Sequence, residues 1–187
     1  MTPTPKIIGL VGPSGSGKSA AAKVLTNTYG FRLAPMAGPL KRMLIAGGLQ
    51  YDDVYGGLKE VPNDILGGQT PRHAMQTLGT EWGRDHIHPD IWVNMWTASY
   101  RRDAVESGYG LLQPVVVDDV RFDNEVQAIR DLGGVIVEVF RPGAVYSTTH
   151  RSEKGVGIID ARINNTGDLT HLRLQVKYFM GDQVKNV

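Results

Sequence analysis

The apolar positions along the chain fall into short unbroken runs and longer runs with helical spacing, and the two kinds predict different elements. Lys6–Gly12 (KIIGLVG) is a short apolar stretch with β-branched residues that ends in glycine, and it reads as a buried strand. Residues 18–29 (KSAAAKVLTNTY) read as a helix stopped by Gly30 at the C′ position. Phe31–Ala37 is a weaker strand pattern, and 39–46 (PLKRMLIA) is a helix ended by Gly47–Gly48. Residues 49–69 are rich in glycine and poor in periodicity, which predicts a loop with short pieces of helix. Thr70 as N-cap and Pro71 at N1 open a helix expected to run to about Ile87. His88–Pro89 opens another, reaching Ser107 and stopping at Gly108. Leu111–Val117 is a second buried strand leading into Asp118–Asp119, and 123–132 a short helix closed by Gly133–Gly134. Val135–Phe140 (VIVEVF) is a third clear strand, ending at Arg141–Pro142. An irregular polar and basic segment over 143–157 precedes a short strand, Ala161–Asn165, and a last helix over 168–180.

Strands alternating with helices predict an α/β fold, a mostly parallel sheet covered on both faces in three layers. At 187 residues, the chain has room for one domain with a good core. It reads as a single domain, 1–187, with insertions at 38–108 and 143–157.

Composition narrows the chemistry. Twenty basic and nineteen acidic residues give a net charge of +1, so no chain-wide electrostatic case exists for nucleic acid or a membrane surface as partner. The absence of cysteine excludes disulfides, thiolate metal sites and cysteine nucleophiles. No apolar run approaches the roughly 18–20 residues of a membrane span, and the N-terminal apolar stretch is too short for a signal peptide. The expectation is a soluble, cytoplasmic protein. Faces bearing Trp or Met can serve a homodimer as readily as a core, so oligomeric state stays open.

Residues 12–19 (GPSGSGKS) match G-x-x-x-x-G-K-[ST] in full. Glycines let the backbone amides of Gly12, Ser14, Gly15, Ser16 and Gly17 wrap a polyphosphate, and the following helix aims its positive dipole end at the anion. In this pattern Lys18 bridges the β- and γ-phosphates of ATP, and Ser19 ligates Mg²⁺. Asp118 and Asp119 fall at a strand's carboxyl end, where open α/β sheets place their ligands. A carboxylate there can hold Mg²⁺, assigned to Asp118, or accept a hydrogen bond from a hydroxyl, assigned to Asp119. Arg121 and Glu125 complete D-x-R-x-x-x-E, which reads as a reactive cluster or as a structural ion pair.

On the 70–87 helix, Arg72, Gln76, Gly79–Thr80 and Gly83–Arg84 share one face at α-helical spacing. Met75, Leu78, Trp82 and His86 share another, as a core stripe would. The polar face suits a phosphorylated acceptor with Arg72 as bidentate clamp, or else is a solvated face. Trp92, Trp96 and Tyr100 form a stripe at i, i+4 and i+8, a pattern commoner in cores. Trp92, near its helix start, is the ring chosen to stack on a base. Arg141, His150, Arg151 and Lys154 can act as a lid over a transferring phosphate or form an ordinary loop. Asn165 reads equally as an ATP contact near the adenine and as part of a helix-capping turn.

GPSGSGKS, TPRHAMQTLGTEWGRD with HPDIWV (70–93), and VVVDDVRFDNEVQAIRDLGG (115–134) with VEVFRP and HRSE resemble bacteriophage deoxynucleoside monophosphate kinases, over residues 6 to about 175. The loop motif is specific only to P-loop NTPases, whereas TPR–LGTEWGRD and DVRF-x-NE carry the narrower likeness. The resemblance implies a nucleoside-monophosphate-kinase-like P-loop fold with a helical acceptor-binding insertion and a short lid. It implies Mg²⁺-dependent transfer of the ATP γ-phosphate to a deoxynucleoside 5′-monophosphate, within host cytoplasm if phage-encoded. It also implies that Arg72, Gln76, Gly79, Thr80 and Trp92 meet the acceptor, that Asp119, Arg121 and Glu125 lie beside the reacting phosphates, and that Arg141 opens the lid. A kinase of another phosphorylated acceptor, of the dephospho-coenzyme A or phosphomevalonate type, is the alternative in the same class. A nucleic-acid-stimulated ATPase ranks lower, and the N-K-x-D signature of guanine-nucleotide switches is absent.

Overall fold

Every residue of β1 (Ile7–Val11) is buried, as an unbroken apolar run requires when both faces of a central parallel strand are covered. The computed structural model describes residues 6–106, 113–146 and 156–181. Among the described residues the sheet has five strands, with β2 (Arg32–Leu33), β3 (Val115–Val117), β4 (Val135–Phe140) and β5 (Ala161–Asn164) arranged in the order β2-β3-β1-β4-β5. All pairings are parallel, with Gly9 opposite Val117 on one side and Ile136 on the other.

Helix α1 (Lys18–Tyr29) starts and stops where the sequence predicts, and Gly30 closes it in the left-handed conformation with its N–H bonded to Leu25 O. Helices α2 (Gly38–Ala46), α3 (Tyr51–Val54), α4 (Pro71–Thr77), α5 (Ile91–Glu106), α6 (Asp123–Asp131) and α7 (Leu169–Phe179) follow in chain order. On one sheet face, Ile8, Leu10, Val116, Val137, Val139 and Ile163 pack with Ala21, Ala22, Val24 and Leu25 of α1 and Leu172 and Val176 of α7. Each such Ile or Leu contributes roughly 1.5–3 kcal/mol by burial. On the other face α6 packs against β1 and β4. A Cβ at Gly9 would lie 2.8 Å from Ile129 Cδ1 and 2.9 Å from Ile136 Cδ1, so the helix approaches β1 where the strand has no side chain.

Two compact units divide the chain. Met1–Pro35 with Arg102–Val187 holds the sheet with α1, α6 and α7; Met36–Arg101 holds α2, α3, α4 and most of α5. Within the second unit, the 49–69 stretch contains α3 and two short 3₁₀ turns, Gly57–Glu60 and Asp64–Leu66. Strand β2 is shorter than the expected Phe31–Ala37 because its ladder beside β3 ends at Leu33 opposite Val116. Among the described residues no helix is long and apolar enough to cross a membrane.

Candidate active site

The crossovers after β1 and β3 leave these adjacent strands toward opposite edges and opposite faces of the sheet. A crevice outside the carboxyl ends of two such strands is where open α/β sheets bind ligands. The segments that emerge there are Gly12–Gly17 and Asp118–Phe122.

The first is a glycine turn shaped by its own contacts. Gly12 has φ 142°, and a Cβ there would meet Ser16 Oγ and Val139 O, each at 2.7 Å. Gly17, at φ 104°, is the N-cap of α1, and a Cβ on it would collide with the Asn165 side-chain amide. Both positions therefore demand glycine twice over, by conformation and by space. Lys18 curls back so that Nζ donates to Gly12 O at 2.6 Å and Pro13 O at 2.8 Å. Ser14, Gly15 and Ser19 are exposed, whereas Ser16 is fully buried and its Oγ has no hydrogen-bond partner among the described residues. Among the described residues no side chain caps α1, and no acid lies in its first turn, so the positive end of its dipole is not offset from within the helix. Glycine cradle, uncapped helix and lysine are together the donor set that a polyphosphate needs. The oxygens of Ser19, at the start of α1, and of Asp118 are the hard ligands that Mg²⁺ prefers.

Asn165 departs from the adenine-side expectation. It is 7% exposed, its amide donates to Ser16 O at 2.8 Å, and its N–H bonds Phe140 O at 2.7 Å. Its side chain braces the loop from beneath.

Asp118, Asp119 and Arg121 are half-buried at the end of β3. Glu125, expected beside the acceptor, is turned inward instead. It is 4% exposed, and its Oε2 accepts from Arg121 N at 2.7 Å and Phe122 N at 3.2 Å. A carboxylate buried this deeply needs such donors. Arg141 is exposed directly after β4, while Arg151 and most of the expected lid lie outside the described residues. Beyond Arg141, the Tyr146 hydroxyl has its pKa raised by burial and, secondarily, by the Glu138 carboxylate, so it stays a protonated donor.

The second unit carries the expected acceptor residues. Thr70 caps α4 through a bond from His73 N at 3.2 Å. The expected helix to Ile87 is not one α-helix. From Leu78 to Ile87 it widens to π-helix, shown by the five-residue bond from His88 N to Gly83 O at 2.9 Å. The groups of residues read at helical spacing keep together here, but the buried side is the reverse of the expected one. Trp82 is 40% exposed and His86 is also exposed, while Thr80, Gly83 and Arg84 turn inward. Arg84, which the sequence places only on the polar face, is 5% exposed and donates from Nη1 to Pro89 O at 2.8 Å.

Trp92 does not offer a stacking face. It is 2% exposed, its Nε1 donates to Gly79 O at 2.7 Å, and its indole lies where a Cβ on Gly83 would come within 2.6–2.8 Å. Trp96 and Tyr100 stack on each other with centroids 5.5 Å apart, so the whole stripe is core. Gln76 and Gly79 are half-buried, and Arg72 is ion-paired through Nε to Glu60 Oε1. Glu60 has no sequence signal linking it to Arg72, because 3₁₀ turns and loop separate them.

One family model and three relatives bear on this arrangement. The family model described as deoxynucleotide monophosphate kinase matches residues 49–176, a span that includes Arg72–Trp92 and Asp118–Glu125 and begins after the glycine loop. The putative deoxynucleotide monophosphate kinase of Acanthamoeba polyphaga mimivirus is 38% identical over 156 residues, covering 79% of this chain and 80% of that protein. The deoxynucleotide monophosphate kinase of Enterobacteria phage T4 is 33% identical over 122 residues, or 64% of this chain. The deoxynucleoside-5′-monophosphate kinase of Escherichia phage T5 is 28% identical over 120 residues, or 59% of this chain. The matched stretch spans about half the length of these phage relatives, 49% and 45%.

Proposed function

The chain belongs to the deoxynucleotide monophosphate kinase family, and we propose that it transfers the γ-phosphoryl group of ATP, taken up with Mg²⁺, to the 5′-phosphate of a deoxynucleoside monophosphate. The observation that carries this reading is the pair of segments at the ends of β1 and β3: an uncapped glycine loop with Lys18, and a turn bearing Asp118, Asp119 and Arg121.

In the proposed reaction, the backbone amides of 14–19 and the Lys18 ammonium hold the ATP phosphates. Lys18 exchanges its carbonyl partners on Gly12 and Pro13 for phosphate oxygens. Ser19 and Asp118 would hold the cation, which would supply charge compensation to the ATP phosphates. Arg121 holds the acceptor's phosphate and Asp119 orients the sugar or phosphate; on the second unit, Arg72, Gln76, Gly79 and Thr80 are read as acceptor-binding residues. A phosphate oxygen of the acceptor attacks the γ-phosphorus while the bond to the β–γ bridging oxygen breaks, releasing ADP. No general base is needed, because a phosphate monoester with a second pKa of about 6 is already an anionic nucleophile at neutral pH. The protein's task is alignment and charge compensation, the latter shared by Lys18, Arg121 and Arg141.

The test is ADP release from ATP and Mg²⁺ with dAMP, dGMP, dCMP, dTMP, AMP or dephospho-coenzyme A as acceptor. Turnover with at least one deoxynucleotide, exceeding that with AMP, is expected. Release that requires dephospho-coenzyme A, or that ignores every acceptor, overturns the reading.

A further inference from the structure

Glu125 stands at position N3 of α6, and the N-cap before it is Phe122, a residue with no side-chain oxygen to offer the helix. In a capping box, the N3 carboxylate reaches back to the N-cap N–H. Here it reaches one residue further. The same Oε2 that takes the Phe122 N–H at 3.2 Å takes the Arg121 N–H at 2.7 Å. These two amides flank the Arg121 Cα, so one buried oxygen holds the backbone on both sides of the atom from which the Arg121 side chain departs. The other end of the turn is held by packing: Val120 is 4% exposed, and its Cγ2 is 3.2 Å from where a Cβ on Gly9 would stand.

We propose that Glu125 is a positioning residue for Arg121. It does not meet the nucleotide. It locks the turn between Asp119 and α6, so that the Arg121 guanidinium is delivered in one direction without ordering the backbone when substrate binds. This inference rests on the reading of Arg121 as a holder of the acceptor phosphate. It assigns the buried acid of the D-x-R-x-x-x-E cluster to support and the arginine to contact.

The experiment is a double-mutant cycle on the full chain with Glu125→Ala, Arg121→Ala and both, assayed with ATP, Mg²⁺ and the best deoxynucleotide. Binding of an ATP analogue serves as the check that the loop is intact. If Glu125 acts through Arg121, Glu125→Ala lowers kcat/KM for the acceptor by about 10- to 100-fold. ATP-analogue affinity stays within about twofold, and adding Glu125→Ala to Arg121→Ala changes little. Glu125→Gln, whose Oε1 can accept both amides, should recover activity to within about threefold. Multiplicative losses, an unaffected Glu125→Ala enzyme, or a Glu125→Gln enzyme as impaired as Glu125→Ala each overturn the proposal. Should Glu125→Ala fail to bind the ATP analogue, Glu125→Asp replaces it in the cycle, since its shorter side chain withdraws the oxygen and keeps the charge. Hydrogen exchange at the Arg121 and Phe122 amides reads the clamp without any turnover. A wild type inactive on deoxynucleotides with protected amides therefore refutes the kinase reading, whereas an active wild type with unprotected amides refutes the clamp.

Discussion

The Asn165 side-chain amide donates to the Ser16 main-chain carbonyl at 2.8 Å, fastening the turn after edge strand β5 to the glycine loop after β1 across 149 residues of sequence. A loop that wraps phosphates must present its amides inward and still satisfy the carbonyls that point away. Asn165 satisfies one of them, and its own N–H is held by Phe140 O. The loop is thus supported from the sheet and is not shaped by its glycines alone.

Asn165→Ala should leave the Ser16 carbonyl buried without this donor, a loss of about 1–3 kcal/mol. The same substitution should weaken ATP binding by about tenfold as the loop loosens. Asn165→Asp should be worse, because it sets a carboxylate oxygen against the carbonyl. Titration with a fluorescent ATP analogue beside thermal melting checks the order; wild-type binding by Asn165→Ala would show the brace to be dispensable.

Lys18 makes a second prediction. Its two bonds to Gly12 O and Pro13 O are worth on the order of 1–2 kcal/mol together. Lys18→Ala should therefore fold with a modestly lowered melting temperature, while turnover falls by at least about 10²–10³-fold through loss of charge on the transferring group. Chelation with EDTA should abolish turnover of the wild type and added Mg²⁺ restore it. A folded Lys18→Ala protein with near-normal rates would dismiss the mechanism.

The elements legible in the sequence share one property: their signal is local. Gly30 ends α1 because a left-handed residue must follow Tyr29, and VIVEVF forms β4 because nothing but a strand suits it. GPSGSGKS carries its own conformation in the spacing of Gly12, Gly15 and Gly17. Contacts distant in sequence were not legible. Nothing near Asn165 announces Ser16, and nothing in DVRFDNE says that Glu125 turns inward while Arg121 does not. Over Leu78–Ile87 the periodic groups hold, Thr80 with Gly83–Arg84 and Trp82 with His86, but spacing alone does not say which group is buried, and the aromatic one is exposed.

Gly83 and Trp92 give a third prediction. Gly83→Ala places a methyl 2.6–2.8 Å from three atoms of a buried indole, and overpacking of this kind costs about 1–3 kcal/mol. Trp92→Phe keeps an aromatic face but removes the donor to Gly79 O, a loss of about 1–2 kcal/mol. Were Trp92 a stacking platform for the base, Phe would preserve both affinity and stability. Denaturant unfolding decides between the two roles: a lowered midpoint for Trp92→Phe identifies a structural ring, and an unchanged midpoint refutes that role.

The Arg72–Glu60 pair gives the last. Both side chains are substantially exposed, 41% and 64%, so the pair contributes little to stability, at most about 1 kcal/mol. Its consequence is competitive. A guanidinium held by a carboxylate must leave it before it can hold a phosphate, and the phosphate, with more charge and more acceptor oxygens, is the stronger partner. Glu60→Gln removes the competitor and should lower the acceptor's KM severalfold without moving the melting temperature. Arg72→Ala should raise KM by about 10- to 100-fold, and Arg72→Lys should recover only part of that, because a point charge lacks the fork that grips two oxygens at once. The KM changes should shrink as salt is raised, since the exposed pair and the competing phosphate are both screened. An acceptor KM that ignores Glu60→Gln and Arg72→Ala alike would remove Arg72 from the acceptor site and leave the pair as a surface contact between α4 and the 3₁₀ turn.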